Sequence, residues 1–186
     1  MDQALETAIR LFQARGYDAV GVAELVAELG IKPPSFYAAF GSKAGLLEKA
    51  FERYSAGESN VFERAREQGG SVMAVIDRTL TNAARLYPQQ GGVAGCLVLD
   101  GTRNSADAEA RALAAGAKRA SVAALRDFIG SEFPDRAAEL AQLVTIALAG
   151  MSAAARDGAG RDELEAFAAT LSRALRREME GGQAIA

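Results

Sequence analysis

The residue types that most often perform chemistry are scarce in this 186-residue chain, and those present suit binding better than bond making. Histidine is absent, which removes the commonest general base, the commonest metal ligand and the usual Ser/His and Cys/His pairings. Cys96 is the single cysteine, so it can form neither an intramolecular disulfide nor a cysteine metal cluster. It sits inside an apolar run, where a thiol acts as buried filler; a redox or electrophile sensor would need exposure and a lowered pKa. Glu58, Asp100 and Arg103 are the only conceivable members of a catalytic constellation, too few to assign one. No catalytic residue, metal site or cofactor is expected.

Groups able to bind another molecule fall in two places. The stretch from Lys32 to Lys43, KPPSFYAAFGSK, combines ammonium groups, hydroxyls and small apolar edges. Further on, Phe51, Tyr54, Glu58, Phe62, Ile76, Leu80, Tyr87 and Cys96 could line a pocket, although each apolar one reads equally well as core. Glu58 falls on the apolar stripe between Tyr54 and Phe62, where a charge is costly unless paired or wet. Asp100 and Arg103 follow the apolar run Val93 to Leu99 and could pair with Glu58 or anchor a ligand. The alternative is that the long helix turns Glu58 to solvent.

The elements that must position these groups are helical. Alanine is abundant and only four prolines occur, which leans towards helix throughout. Leu5, Ala8, Ile9 and Phe12 recur at helical spacing up to a glycine stop at Gly16. Val22, Leu25, Val26 and Leu29 repeat the pattern up to Gly30, and a third short helix runs from Pro33 or Pro34 to Phe40. Ser42 can cap a long helix from Lys43, whose stripe Leu47, Phe51, Tyr54, Val61, Phe62 and Ala65 lasts about six turns. Ser71 can cap the next, with Val72, Val75, Ile76, Leu80, Ala83 and Leu86 on one face, closed by Pro88. Periodicity cannot assign Val93 to Leu99 to helix or strand. A helix from about Ser105 to Ile129 follows. Ala137 to Ala155 is apolar almost all round, implying burial on more than one side. The last helix is amphipathic, with Leu164, Phe167, Leu171, Leu175 and Met179 on one face.

The segment ALETAIRLFQARGYDAVGVAELVAELGIKPPSFYAAFGSKAGLLEKAF resembles the N-terminal domain of the tetracycline-repressor (TetR) family. The likeness rests on the LFxxxGY end of the first helix, the turn at Gly30-Ile31, the Phe36-Tyr37 pair, Phe40, and the Ser42-Lys43 step into a leucine-bearing helix. It implies a helix-turn-helix whose second helix offers its N-terminal end to the DNA major groove. Phe36 and Phe40, at i and i+4, then point inward, leaving Lys32, Pro34, Ser35 and Ala38 as candidates for base edges. Tyr37 and Lys43 match family positions that hold phosphates, a role that a phenol and a helix-start ammonium both suit. Three departures stand out. Gly21 replaces the usual Ser or Thr cap, Val26 a smaller residue near the helix crossing, and Ala38-Ala39 positions that are often polar.

The resemblance implies an all-α protein with a DNA-binding domain over residues 1–46 and a helical-bundle domain over 47–186 for effector binding and dimerisation. Its expected partners are double-stranded operator DNA, a small-molecule effector and a second copy joined through the last two helices. A repressor is the expected sense. Net charge is −3, but the footprint on DNA is local, so this does not oppose the reading. An adaptor that binds protein instead would show an apolar surface on the first domain. The acidic N-terminus is unlike a signal peptide, and Leu143 to Ala155 is too short and alanine-rich to span a bilayer. A cytoplasmic protein without membrane contact is expected.

Overall fold

The chain was analysed as a computed structural model, which describes residues 2–57, 59–88 and 92–182, the last three without their side chains. All regular structure among them is helical: α1 Asp2–Arg15, α2 Val22–Glu28, α3 Pro33–Phe40, α4 Lys43–Ala56, α5 Val61–Glu67, α6 Val72–Leu86, α7 Leu97–Asp100, α8 Ala108–Gly130, a 3-10 turn Pro134–Arg136, α9 Ala137–Arg156 and α10 Arg161–Gly182.

The stop and start chemistry of the first three helices fixes their crossing. Gly30 takes φ 64°. Its N–H donates to Ala27 O and that of Ile31 to Val26 O, the paired bonds that close a helix through a left-handed residue. Gly21 leaves α2 without a side-chain cap, the loss its sequence implies. Pro33 and Pro34 open α3, and the Ser42 hydroxyl accepts from the Gly45 N–H at the start of α4. Gly45 is required there, since a Cβ would stand 2.1 Å from the Phe40 carbonyl oxygen. α1 packs on α4, so the three short helices lean on the fourth. α4 crosses the expected domain boundary at residue 46 without interruption, and one hydrophobic cluster runs through both parts.

The expected six-turn helix is broken in two. Gly57 ends α4, and Asn60 restarts the chain by accepting the Glu63 N–H on its side-chain oxygen. That capping competes with helix continuation and wins, because glycine and asparagine both favour leaving the helix here. The ambiguous run resolves as an irregular segment followed by the single turn α7. Ser105 lies outside α8, which starts three residues later behind the Asp107 cap.

α9 departs from its expected environment. One face, with Leu140, Val144, Ala147 and Met151, packs inward, while Leu143 and Ile146 are 40% and 58% exposed. Its apolar stretch is also longer than the sequence pattern implied. With the preceding turn it spans Pro134–Arg156, long and apolar enough to cross a membrane by length and composition. Its packing against α8 and α6 nonetheless makes it a wall of the bundle.

α6 runs through the centre, packed against α5, α9 and α10, and Leu80 on it has no exposed surface. Leu80→Ala should therefore lower the unfolding free energy by about 2–5 kcal/mol. Urea titration at fixed protein concentration measures this as a drop in midpoint with unchanged slope.

Candidate nucleic-acid interface and ligand cavity

The fold sorts the α3 side chains by face. Phe36 is fully buried and Phe40 nearly so, their ring centroids 5.3 Å apart. Lys32, Pro33, Pro34, Ser35 and Ala38 are exposed, and Tyr37 is 52% exposed with its ring edge-on to Phe36. The buried pair thus anchors α3, and its outer rim carries an ammonium, two hydroxyls and small apolar edges. Among large apolar side chains of the first domain, only Tyr37 is exposed, so no apolar docking patch for a protein partner is present among the described residues. The acidic side chains of α2 are drawn off the rim: Glu24 pairs with Arg15, and Glu28 with Arg10 at 3.6 Å.

Lys43 makes contacts within the chain that the sequence does not show. Its ammonium donates to the carbonyls of Tyr17 and Val20 at 3.0 and 3.1 Å and lies 3.9 Å from the Tyr17 ring centroid. It ties the α1–α2 turn to the start of α4 instead of reaching outward. The carbonyls and ring are preformed partners that a solvated ammonium would otherwise have to find in water.

Tyr17 begins a polar seam that sequence reading missed. Its main-chain N–H donates to Gly101 O at 2.8 Å, and its phenol to Asp107 at 3.3 Å. Burial, then the neighbouring Asp107 carboxylate, pushes that phenol far above its usual pKa, so it stays a donor. Asp18 accepts from the Ser105 hydroxyl and the Ala106 N–H at 2.5 and 2.6 Å. The Gln13 amide donates to Val93 O and Gly95 O, and Arg156 reaches back to Gln13 O. The α1–α2 region is therefore fastened to the segment 93–107 by its main chain. No periodicity marks this seam, although Asp107 behind Ser105 is a readable helix cap.

Asp100 anchors the far side of α7. Its carboxylate accepts from Arg103 at 2.5 and 3.0 Å and from the Ser152 hydroxyl, which itself accepts the Cys96 N–H at 2.8 Å. Arg103 is thus spent outside the bundle, about half exposed, and does not line the cavity, where it was expected to pair with Glu58 or anchor a ligand. Glu58 itself lies outside the described residues.

A cavity of about 120 Å³ lies between α4, α5, α7, α8 and α9. Of the expected lining residues, Tyr54, Phe62, Tyr87 and Cys96 border it. Ile76 and Leu80 do not, being fully buried where α6 meets its neighbours. Phe51 faces a larger open groove of about 660 Å³ between α4 and α8, which shares Ser55, Asn60, Ser121 and Ala124 with the cavity and so adjoins it. Lining residues not foreseen include Ser59, Val98, Leu99, Lys118, Leu125, Thr145 and Leu148. The spacing of Lys118, Ser121 and Leu125 puts them on one face of α8, a signal that was available. Burial pushes the Cys96 thiol up, as it does the phenols of Tyr54 and Tyr87, with the nearby thiol adding to both phenol shifts. The cysteine is buried and protonated, the filler its sequence setting implies.

An all-α chain that presents an exposed rim behind a glycine turn, and carries a separate cavity beyond it, has the layout of helix-turn-helix regulators. The comparisons agree. The family model for bacterial regulatory proteins of the tetR family matches residues 4–50. The HTH-type transcriptional repressor BdcR of Escherichia coli (strain K12) is 38% identical over 179 residues, covering 96% of this chain and 90% of that one. The repressor ComR of the same organism is 28% identical over 92% of this chain and 87% of its own. A cysteine mutant of the TetR-family regulator CifR, complexed with 26 bp double-strand operator DNA, superposes with TM-score 0.83 at 27% identity, covering 93% of this chain and 95% of that one. The chain belongs to the TetR family of DNA-binding transcriptional regulators.

Bonds from Ser105, then Ala106, hold the Asp18 carboxyl below the ordinary aspartate range. A depressed carboxylate stabilises the fold above its unfolded pKa of about 3.9, and that contribution vanishes as pH falls through the lower folded value. The stability gap between wild type and Asp18→Asn should accordingly be constant near neutrality and close below about pH 4. Thermal melts across pH check this; a gap unchanged in acid would contradict it.

Proposed function

We propose that the protein represses transcription by binding a two-fold operator as a homodimer, and that a small molecule in the α4–α8 cavity releases it. The observation that carries the DNA reading is the α3 rim, held outward by the buried Phe36 and Phe40. Lys32, Pro34, Ser35 and Ala38 read base edges from the major groove, with Ala38 and Pro34 suited to thymine methyls. Tyr37 donates to a phosphate. Lys43 acts from behind by fixing the α1–α2 turn, and of the first N–H groups of α4, with that of Gly45 taken by Ser42, those of Lys43 and Ala44 are left for a phosphate at that end. The mechanism is binding alone, in the cytoplasm where the DNA lies.

Dimerisation through α9 and α10 is supported by the exposed Leu143, Ile146 and Phe167 on those two helices. Two copies of a two-helix face make a four-helix interface of the kind closed two-fold dimers use. It also supplies the paired heads that two half-sites require.

Release is a matter of linkage. Cys96, Val98 and Leu99 border the cavity, and two residues beyond Leu99 the Gly101 carbonyl holds the Tyr17 N–H. α4 likewise runs from the head to Tyr54 at the cavity wall. A ligand that favours another position of α7 or α4 alters the spacing of the two heads, and couples to DNA by typically about 1–3 kcal/mol in both directions.

Footprinting on the upstream region of its own gene, with gel shifts at several salt concentrations, tests the DNA reading. Tyr37→Phe should weaken operator and unrelated DNA alike by about 0.5–1.5 kcal/mol, the usual value of one hydrogen bond. Lys32→Ala should also relax sequence preference and flatten the salt dependence by about one unit of slope. Protection lacking in wild type would end the proposal. For the dimer, Ile146→Asp should sediment as a monomer and lose operator affinity while keeping its helical circular dichroism; an intact dimer would move the interface elsewhere.

A further inference from the structure

The cavity has walls of one kind and donors of another. Phe62, Val98, Leu125 and Leu148 give it an apolar body. Its volume of about 120 Å³ is close to the roughly 150 Å³ that holds a benzene ring, so the occupant is small and compact.

The charge inventory of the described lining is one-sided. Ser121 and Thr145 donate their hydroxyls to carbonyls of their own helices, Ala117 O at 3.1 Å and Ala141 O at 2.7 Å. Asn60 is committed on both ends, to Ser55 O and the Glu63 N–H. Glu63, the one acidic lining residue described, is neutralised by Arg66 at 2.6 Å. Lys118 is half-buried, borders the cavity, and has neither ion pair nor hydrogen bond among the described residues. The phenols of Tyr54 and Tyr87 at the other end, both kept protonated by burial, are already engaged with Cys96, and Tyr54 with Ser59 as well. Among the described lining residues the Lys118 ammonium is therefore the one charge without a counter-charge, and a charged acceptor is the group that would meet it. Glu48, Glu52 and Glu109 of the outer groove are exposed, so water and salt screen them from a ligand seated inside.

We infer that the cavity receives a small organic monoanion, a carboxylate on a compact apolar body about the size of a benzene ring, with Lys118 as its counter-charge. This rests on the cavity being the effector site, and the two claims separate experimentally. Benzoate and the neutral, near-isosteric benzyl alcohol serve as probes. Calorimetry on the full-length protein at constant ionic strength reads binding, and fluorescence anisotropy of labelled operator reads release.

Benzoate should bind about ten-fold tighter than benzyl alcohol, as a charge-assisted bond in a partly dry site implies. Lys118→Met should erase that ratio and leave benzyl alcohol binding unchanged, and Lys118→Arg should keep it. Lys49→Met, an exposed lysine of α4 away from the cavity, should match wild type. Equal affinities for the two probes, a ratio that survives Lys118→Met, or no binding of benzoate at millimolar concentration would each overturn the inference. If benzyl alcohol releases operator without any charge preference, the anion is wrong and the effector site stands. If benzoate binds through Lys118 yet leaves operator affinity untouched, the ligand class stands and the effector reading falls.

Discussion

The buried carboxylate of Asp100 is the constraint around which the rest is arranged. A carboxylate taken from water costs several kcal/mol unless its lone pairs are met by well-placed donors. Here Arg103 meets it from outside and Ser152 from inside, and Ser152 in turn takes the Cys96 N–H. That satisfies both ends of α7, a helix too short to be stable by its own hydrogen bonds. With α7 held, the Gly101 carbonyl is presented to Tyr17, and the α1–α2 turn docks against the bundle. Loosening the carboxylate would therefore release, at one point, the cavity wall, the seam and the head.

This arrangement bears on how a cavity could speak to a DNA surface. Coupling between distant sites needs an element with two arrangements that both sites bias, and spatial intermediacy alone does not supply one. α7 has the right boundary conditions: a single turn, flanked by glycines, with few apolar anchors of its own beyond Leu97 and Val98. α4 is the stiffer member of the pair, since its first half is packed by Leu46, Leu47 and Ala50 and tied at its start by Ser42 and Lys43. A rigid rod beside a single turn that the Asp100 network keeps in place separates a stiff part from one that depends on a few side-chain bonds, next to Cys96, Val98 and Leu99.

The fold was largely legible because periodicity and punctuation agreed. Gly16, Gly30 and Gly41 all take positive φ where the apolar patterns stop, and Ser42 and Ser71 cap where they resume. The failures share a cause. At residues 57–60 a continuous apolar stripe concealed a break set by local capping, because the stripe continues in phase across it. In the cavity, Ile76 and Leu80 were indistinguishable from Phe62 and Tyr87 by type, and only packing separates a core residue from a lining one. The Asp18–Ser105 seam depends on contacts between residues far apart in the chain, for which one sequence carries no direct signal. Lys43 is the instructive case. Its type suits a phosphate, and a preformed nest of two carbonyls and a ring also lies within reach of the same side chain.

That choice has consequences for an acidic protein facing a polyanion. With Lys43 turned inward and two prolines removing N–H groups from the start of α3, little positive charge is left near the rim. Pairing Glu24 and Glu28 with Arg15 and Arg10 prevents α2 from repelling DNA, but it also spends two arginines that could have met phosphates. Affinity that draws on few phosphate contacts has a weak non-specific component, because that component scales with the counterions released. On the proposed reading, discrimination comes from how closely the small edges of Pro34, Ser35 and Ala38 fit the groove floor, and from two heads held at one fixed spacing. On that reading the protein binds tightly only where shape and spacing are both right, which is also the condition under which a modest movement of α7 would be enough to dislodge it.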